Sequence, residues 1–191
     1  MTWLSRLTVV AALACAANAG AQVPTPDPAD FRVQIWGFAA VDFNTRMSGY
    51  AALRSTLQRG LPVLMVTDDP RDILRAERAL ARRIRHARAG AHGGEIFTPE
   101  IVAAFKGILR LETRAGTCAG LMDDNPGAFS YRINGTYPKR EPLSTVPPSI
   151  LNRLPGLPDD VQYRFLGEHL ILHDTRANVI LDGIANAIQC K

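Results

Sequence analysis

The chain has 191 residues, 47% of them hydrophobic, which is enough to bury a core and fits one domain better than two. A formal charge of +4 and a pI near 9.2 form only a mild basic bias, so composition excludes disorder as the default and implies no nucleic-acid role.

The first 21 residues read as a secretory leader. Arg6 supplies a positive start, Leu7 to Ala17 is apolar, and Ala19-Gly20-Ala21 offers a small-residue cleavage site before Gln22. Cleavage after Ala19 and a lipoprotein site at Cys15 are the competing readings; Cys15 lacks the Leu that usually stands three residues before such a site. A permanent span needs about 20 apolar residues. Neither this run nor any later one reaches that length, so the expectation is a periplasmic or secreted protein with no transmembrane segment after cleavage. Residues 22–30, rich in proline, read as an extended tether, and 31–191 as a single domain.

Apolar residues Phe43, Met47, Tyr50, Leu53 and Leu57 recur at three and four, predicting a helix over about 40–59 that stops at Gly60 and Pro62. Phe31 to Phe38 is apolar but carries no decisive pattern. A second helix, about 70–89, has Asp68 or Asp69 as cap, Pro70 in its first turn and Gly90 at the place of a left-handed terminal cap. Ile73, Ala76, Leu80, Ile84 and Ala87 form its apolar stripe. Arg71, Arg75, Arg78, Arg82 and Arg85 run beside it as a basic one. A third helix, about 99–115, follows Thr98 and Pro99, and 123–127 reads as a turn.

The period then changes from helical to alternating. Phe129, Tyr131 and Ile133 predict a strand over about 129–134, ended by the Asn134-Gly135 turn. Asn134-Gly135-Thr136 also matches a glycosylation sequon, read here as that turn. The proline-rich stretch 138–158 is a connector with at most a short helix near 149–154. Val161 to Asp174 is a β-hairpin with Gly167-Glu168 as its loop, which pairs Leu166 with His169, Phe165 with Leu170, Tyr163 with Leu172 and Val161 with Asp174. One face is Val161, Tyr163, Phe165, Leu170 and Leu172. The other is mostly polar, with Gln162, Arg164, His169 and His173 beside Leu166 and Ile171. A third strand over 179–182 and a short terminal helix through Ile184 and Ile188 complete the expectation, one continuous helix being the alternative. Helices first and strands later predict an α+β fold with helices on one face of a small antiparallel sheet.

The segments Tyr131 to Pro138 (YRINGTYP), Pro147 to Gly167 (PPSILNRLPGLPDDVQYRFLG) and His169 to Asp174 (HLILHD) resemble a group of exported bacterial hypothetical proteins. The resemblance covers about 125–188 well and reaches loosely to the second and third helices. It implies export and one domain, and carries no catalytic residue across.

Chemistry has thin support. His169 and His173 share a strand, so their Cα atoms lie roughly 13 Å apart at about 3.3 Å per residue, too far for one metal ion with ligand bonds near 2 Å. Neither a metal nor a cofactor is expected. The pairs Asp68-Asp69, Asp123-Asp124 and Asp159-Asp160 sit where caps and turns favour Asp. No G-x-S-x-G elbow, phosphate-binding loop, C-x-x-C or dinucleotide motif occurs. Cys118 and Cys190, the cysteines left after cleavage, either pair in an oxidising compartment or remain two free thiols. The arginine stripe has two readings: a face for lipid head groups or an acidic envelope polymer, or a solvated surface partly paired with Asp72 and Glu77. The favoured function is therefore a non-catalytic exported module that binds an anionic envelope surface or another envelope protein. Its rival is a periplasmic hydrolase built on the hairpin histidines and nearby acids.

Overall fold

A computed structural model describes residues 28–61, 67–125, 127 and 130–190, so the leader, the start of the tether and Pro62 lie outside the described residues. The element order is α1 (Pro28–Arg59), α2 (Pro70–Ala87), α3 (Pro99–Glu112), α4 (Cys118–Asp123), α5 (Pro148–Leu151), β1 (Val161–Leu166), β2 (His169–Asp174) and β3 (Val179–Ile184), with a π turn at Thr113–Thr117 between α3 and α4. The fold is α+β, with an antiparallel sheet of order β1-β2-β3.

The hairpin pairs in the expected register along its length. Gly167 takes φ 56 at the turn, where a side chain would be strained. Its apolar face packs on the helices. Phe43 of α1, Phe97, Phe105 of α3 and Tyr163 of β1 form one aromatic cluster, with Phe43 and Phe105 centred 5.2 Å apart and Phe105 and Tyr163 6.1 Å apart. Each such pair adds about 0.5–1.5 kcal/mol beyond its area burial. α1 is tied to the hairpin end by charge as well. The fully buried Asp174 carboxylate accepts from Tyr50 Oη at 2.6 Å, Arg54 Nε at 2.7 Å and the Ala177 amide at 2.8 Å. Arg54 also donates to Asp160 at 2.7 Å. Burial and the neighbouring Asp174 push the Tyr50 hydroxyl far above its ordinary pKa, so it stays a donor.

β3 carries an extra residue opposite the Leu172/His173 step. Leu181 there joins the helix-side core. Asp182, fully buried, accepts from the amides of Gly94, Ile96 and Phe97, and so anchors the segment entering α3.

Several expectations are corrected. α1 begins at Pro28 rather than near 40, taking in the end of the supposed tether, because proline is tolerated in a first turn and Trp36 finds an edge-on contact with Phe105, 5.7 Å between centroids. α2 ends at Ala87 without a left-handed Gly90; Arg88 caps it, its amide bonded to Ile84 O. Ile73, expected in the buried stripe, is exposed, since only the later turns of α2 (Leu80, Ala81, Ile84) reach the core. The third helix stops at Glu112. Gly116, at φ 95, kinks the chain into α4.

The strand expected over 129–134 does not form among the described residues. Asn134, at φ 60, turns the chain, and among the described residues this segment's backbone bonds to β3 are Asn134 N to Ile180 O and Ile180 N to Gly135 O. Tyrosine rings from this stretch and the residues after it lie over the sheet instead. Tyr131 covers Gly183, where an added Cβ would lie 2.4 Å from its hydroxyl, and Tyr137 lies on His173 with centroids 5.1 Å apart. On the hairpin's second face Leu166 and Ile171 thus join Ile180 and Tyr137 in a second small core, while Gln162 stays exposed and Arg164 and His169 half-buried. His173 is buried within that core. The terminal helix through Ile184 and Ile188 is also absent; β3 runs to Ile184, and Ala187 and Ile188 tuck under the hairpin turn by donating to Glu168 O. Cys190 is bonded to Cys118, with Cα atoms 5.5 Å apart.

Candidate anion-binding site

α2 forms where its punctuation places it. Asp69 accepts from the Arg71 amide at 2.9 Å, and Pro70 fills the first turn. With the core taken by Leu80, Ala81 and Ile84, the 3.6-residue period leaves the arginine stripe on the outer side. The five arginines do not share one role. At the start of the helix, Arg71 pairs with Asp69 at 2.9 Å and Arg75 with Asp72 at 2.8 Å. The Arg71 side chain and amide hold the Asp69 carboxyl below its ordinary pKa. At the far end, Arg85 donates through Nε to Asn134 O at 2.8 Å and through Nη2 to Thr136 Oγ1 at 2.5 Å, bracing the segment that follows the Asn134-Gly135 turn. Between them, Arg78 and Arg82 are exposed and make no ion pair or hydrogen bond among the described residues.

Two clefts are lined by both Arg78 and Arg82. One, about 420 Å³, is lined by Arg71, Leu74, Arg75, Arg78 and Arg82. The other, about 350 Å³, lies between α2 and residues 134–139, with Arg78, Arg82 and Arg85 on one wall and Thr136 and Lys139 on the other. Glu77 is its one carboxylate, held by Lys139 at 2.8 Å. Asn178 closes the inner end, donating to Tyr137 O at 3.1 Å and accepting from His173 Nε2 at 2.9 Å. Arg88 supports the same loop from beneath: it donates to Asn134 Oδ1, Glu95 Oε2 and Leu181 O. It also lies 5.7 Å from the Tyr50 ring centre.

Lys139, Thr136 and Asn178 were not legible as site residues. Nothing local says that the loop after Asn134-Gly135 lies against α2; the bonds from Arg85 and Arg88 and the Lys139–Glu77 pair put it there.

A third cleft, about 540 Å³, lies beside α1 and is lined by residues that include Tyr50, Arg54, Ser55, Arg59 and Asp159. Its mostly buried cation, Arg54, is already matched by Asp174 and Asp160, and its exposed Arg59 donates to Thr56 and shares the cleft with the Asp159 carboxylate. The two hairpin histidines have separate partners. His173 is buried against Tyr137 and bonded to Asn178, while His169 accepts the Asn186 amide through Nδ1 at 3.2 Å and packs edge-on to Tyr131. Among the described residues, no group of three or more His, Cys, Asp or Glu is placed to hold a metal ion, and no helix is long and apolar enough to cross a membrane.

Comparison of the chain with models of protein families, with curated proteins and with solved structures gives no match.

Proposed function

We propose that this chain is an exported, non-catalytic binding module that engages an anionic envelope surface through the outer face of α2. The observation that carries this reading is the pair Arg78 and Arg82, exposed, one turn apart and without a protein counter-charge, in a helix whose other stripe arginines are paired or bonded. Unpaired guanidinium groups beside clefts break no ion pair in turning toward a ligand, whereas Arg71 and Arg75 would first have to leave Asp69 and Asp72. The leader pattern supports the envelope location.

Sedimentation with phosphatidylglycerol vesicles tests the binding, with phosphatidylcholine vesicles as control. Binding is expected only to the anionic vesicles and to weaken as salt screens the charges. At about 1 kcal/mol per basic residue near such a surface, Arg78→Gln with Arg82→Gln should weaken it roughly 30-fold. Equal binding by the double variant, or binding indifferent to salt, refutes the reading. Its export arm is checked by the intact mass of protein recovered outside the cytoplasm, which should begin at Gln22.

A further inference from the structure

The charges that α2 leaves unpaired converge with groups from a second element, and the cleft they form has the composition of a site for one small group. Of its cations, Arg85 is spent on Asn134 and Thr136. Arg78 and Arg82 remain on the helix wall. Lys139 stands opposite, held by a Glu77 carboxylate that it can partly release to a stronger anion. Thr136 adds a directed donor: its oxygen already accepts from Arg85 Nη2, so its own hydrogen is left for an outside acceptor. The loop wall is pre-set by buried bonds, His173 to Asn178 and Asn178 to Tyr137 O, and by Arg88 to Asn134. A ligand therefore need not order it.

Resting on the reading of α2 as an anion-binding face, we infer that the cleft between α2 and residues 134–139 is a binding site for a phosphoryl ester. A carboxylate has two oxygens, which a single guanidinium fork satisfies. Two forks, an ammonium and a hydroxyl call for a group with three or four acceptor oxygens, as a phosphomonoester or phosphodiester provides. A volume of about 350 Å³ is near the lower end for small-molecule pockets, suited to a head-group-sized ester rather than a nucleotide or an acyl chain.

Nuclear magnetic resonance titration of the ¹⁵N-labelled protein at constant ionic strength tests this, with inorganic phosphate, glycerol phosphate and acetate as probes. Saturable shifts confined to residues 77–85 and 134–139 are expected with the two phosphates and not with acetate. Thr136→Val, which keeps every charge, should weaken glycerol phosphate about tenfold, the value of one hydrogen bond to a charged group; an unchanged affinity would remove Thr136 from the site. Unsaturable shifts spread from Arg71 to Arg85, equal for phosphate and acetate, would overturn the cleft and leave the surface reading standing. Saturable phosphate binding by a protein that ignores vesicles would do the reverse, and would assign the site to a soluble ester. Displacement of the protein from phosphatidylglycerol vesicles by glycerol phosphate would assign it to a lipid head group.

Discussion

His173 shows how one side chain can be read wrongly from pattern and still be informative. On the hairpin it alternates with the core residues, yet it is only 4% exposed, covered by Tyr137. Asn178 spends its amide hydrogen on Tyr137 O, so its oxygen faces His173 and the imidazole proton sits on Nε2. Nδ1 is buried with no partner. Burial, aided by Arg164, therefore holds His173 below its ordinary value of 6.5, and Asn178, Asp174 and Glu77 only partly oppose this. The unfolded chain takes up the proton first on acidification. Stability should thus be flat above about pH 6.5 and fall below it, toward the folded-state pKa. Unfolding midpoints in denaturant between about pH 7.5 and pH 5 check this, and His173→Gln should flatten that slope; an unchanged slope would remove His173 as its source. On the opposite face, Phe165 is fully enclosed. Phe165→Ala should cost roughly 3–5 kcal/mol, and His169→Ala, which loses a bond to the Asn186 amide, about 1 kcal/mol. Paired denaturation curves decide it, and a costlier histidine would mean that the two faces had been exchanged.

At the scale of elements, the sheet is small but covered on both sides. Helices α1 and α3 cover one face and the irregular segment through Tyr131 and Tyr137 the other. Residues 187–190 depend on neighbours rather than on regular structure: Ala187 and Ile188 hang from Glu168 O, and Cys190 from Cys118 at the kink after α3. A bridge spanning 72 residues restricts the unfolded chain by about 4 kcal/mol in the chain-entropy treatment. Cys118→Ala with Cys190→Ala should lower stability by up to that amount, read as a lower denaturant midpoint, and reductant should do the same to the native protein. If neither changes the midpoint, the bond contributes no net stability.

For the whole molecule, local signals determined what they physically can. The helix start at Pro70 with an Asp cap (Asp68 or Asp69, of which Asp69 serves), the alternation and Gly167 turn of the hairpin, and its full register were legible because each depends on residues adjacent in sequence or on a period set by the backbone. The α+β order followed from the same periods. The arginine stripe was legible too, but not which of its members were free. That depended on Asp69 and Asp72 taking Arg71 and Arg75, and on a loop about 50 residues away taking Arg85. The strand expected near 129–134 failed for a related reason. Alternating aromatics mark contact with a flat apolar surface, and a sheet's edge and its face both reward that pattern; the close fit of Tyr131 over Gly183 decided for the face. Sequence by itself thus determined the elements whose energetics are local and the charge that α2 displays. Tertiary structure alone decided which charges were cancelled, which face of the sheet was covered, and that Thr136 and Lys139 stand opposite Arg78 and Arg82, because long-range pairings leave no period in the chain.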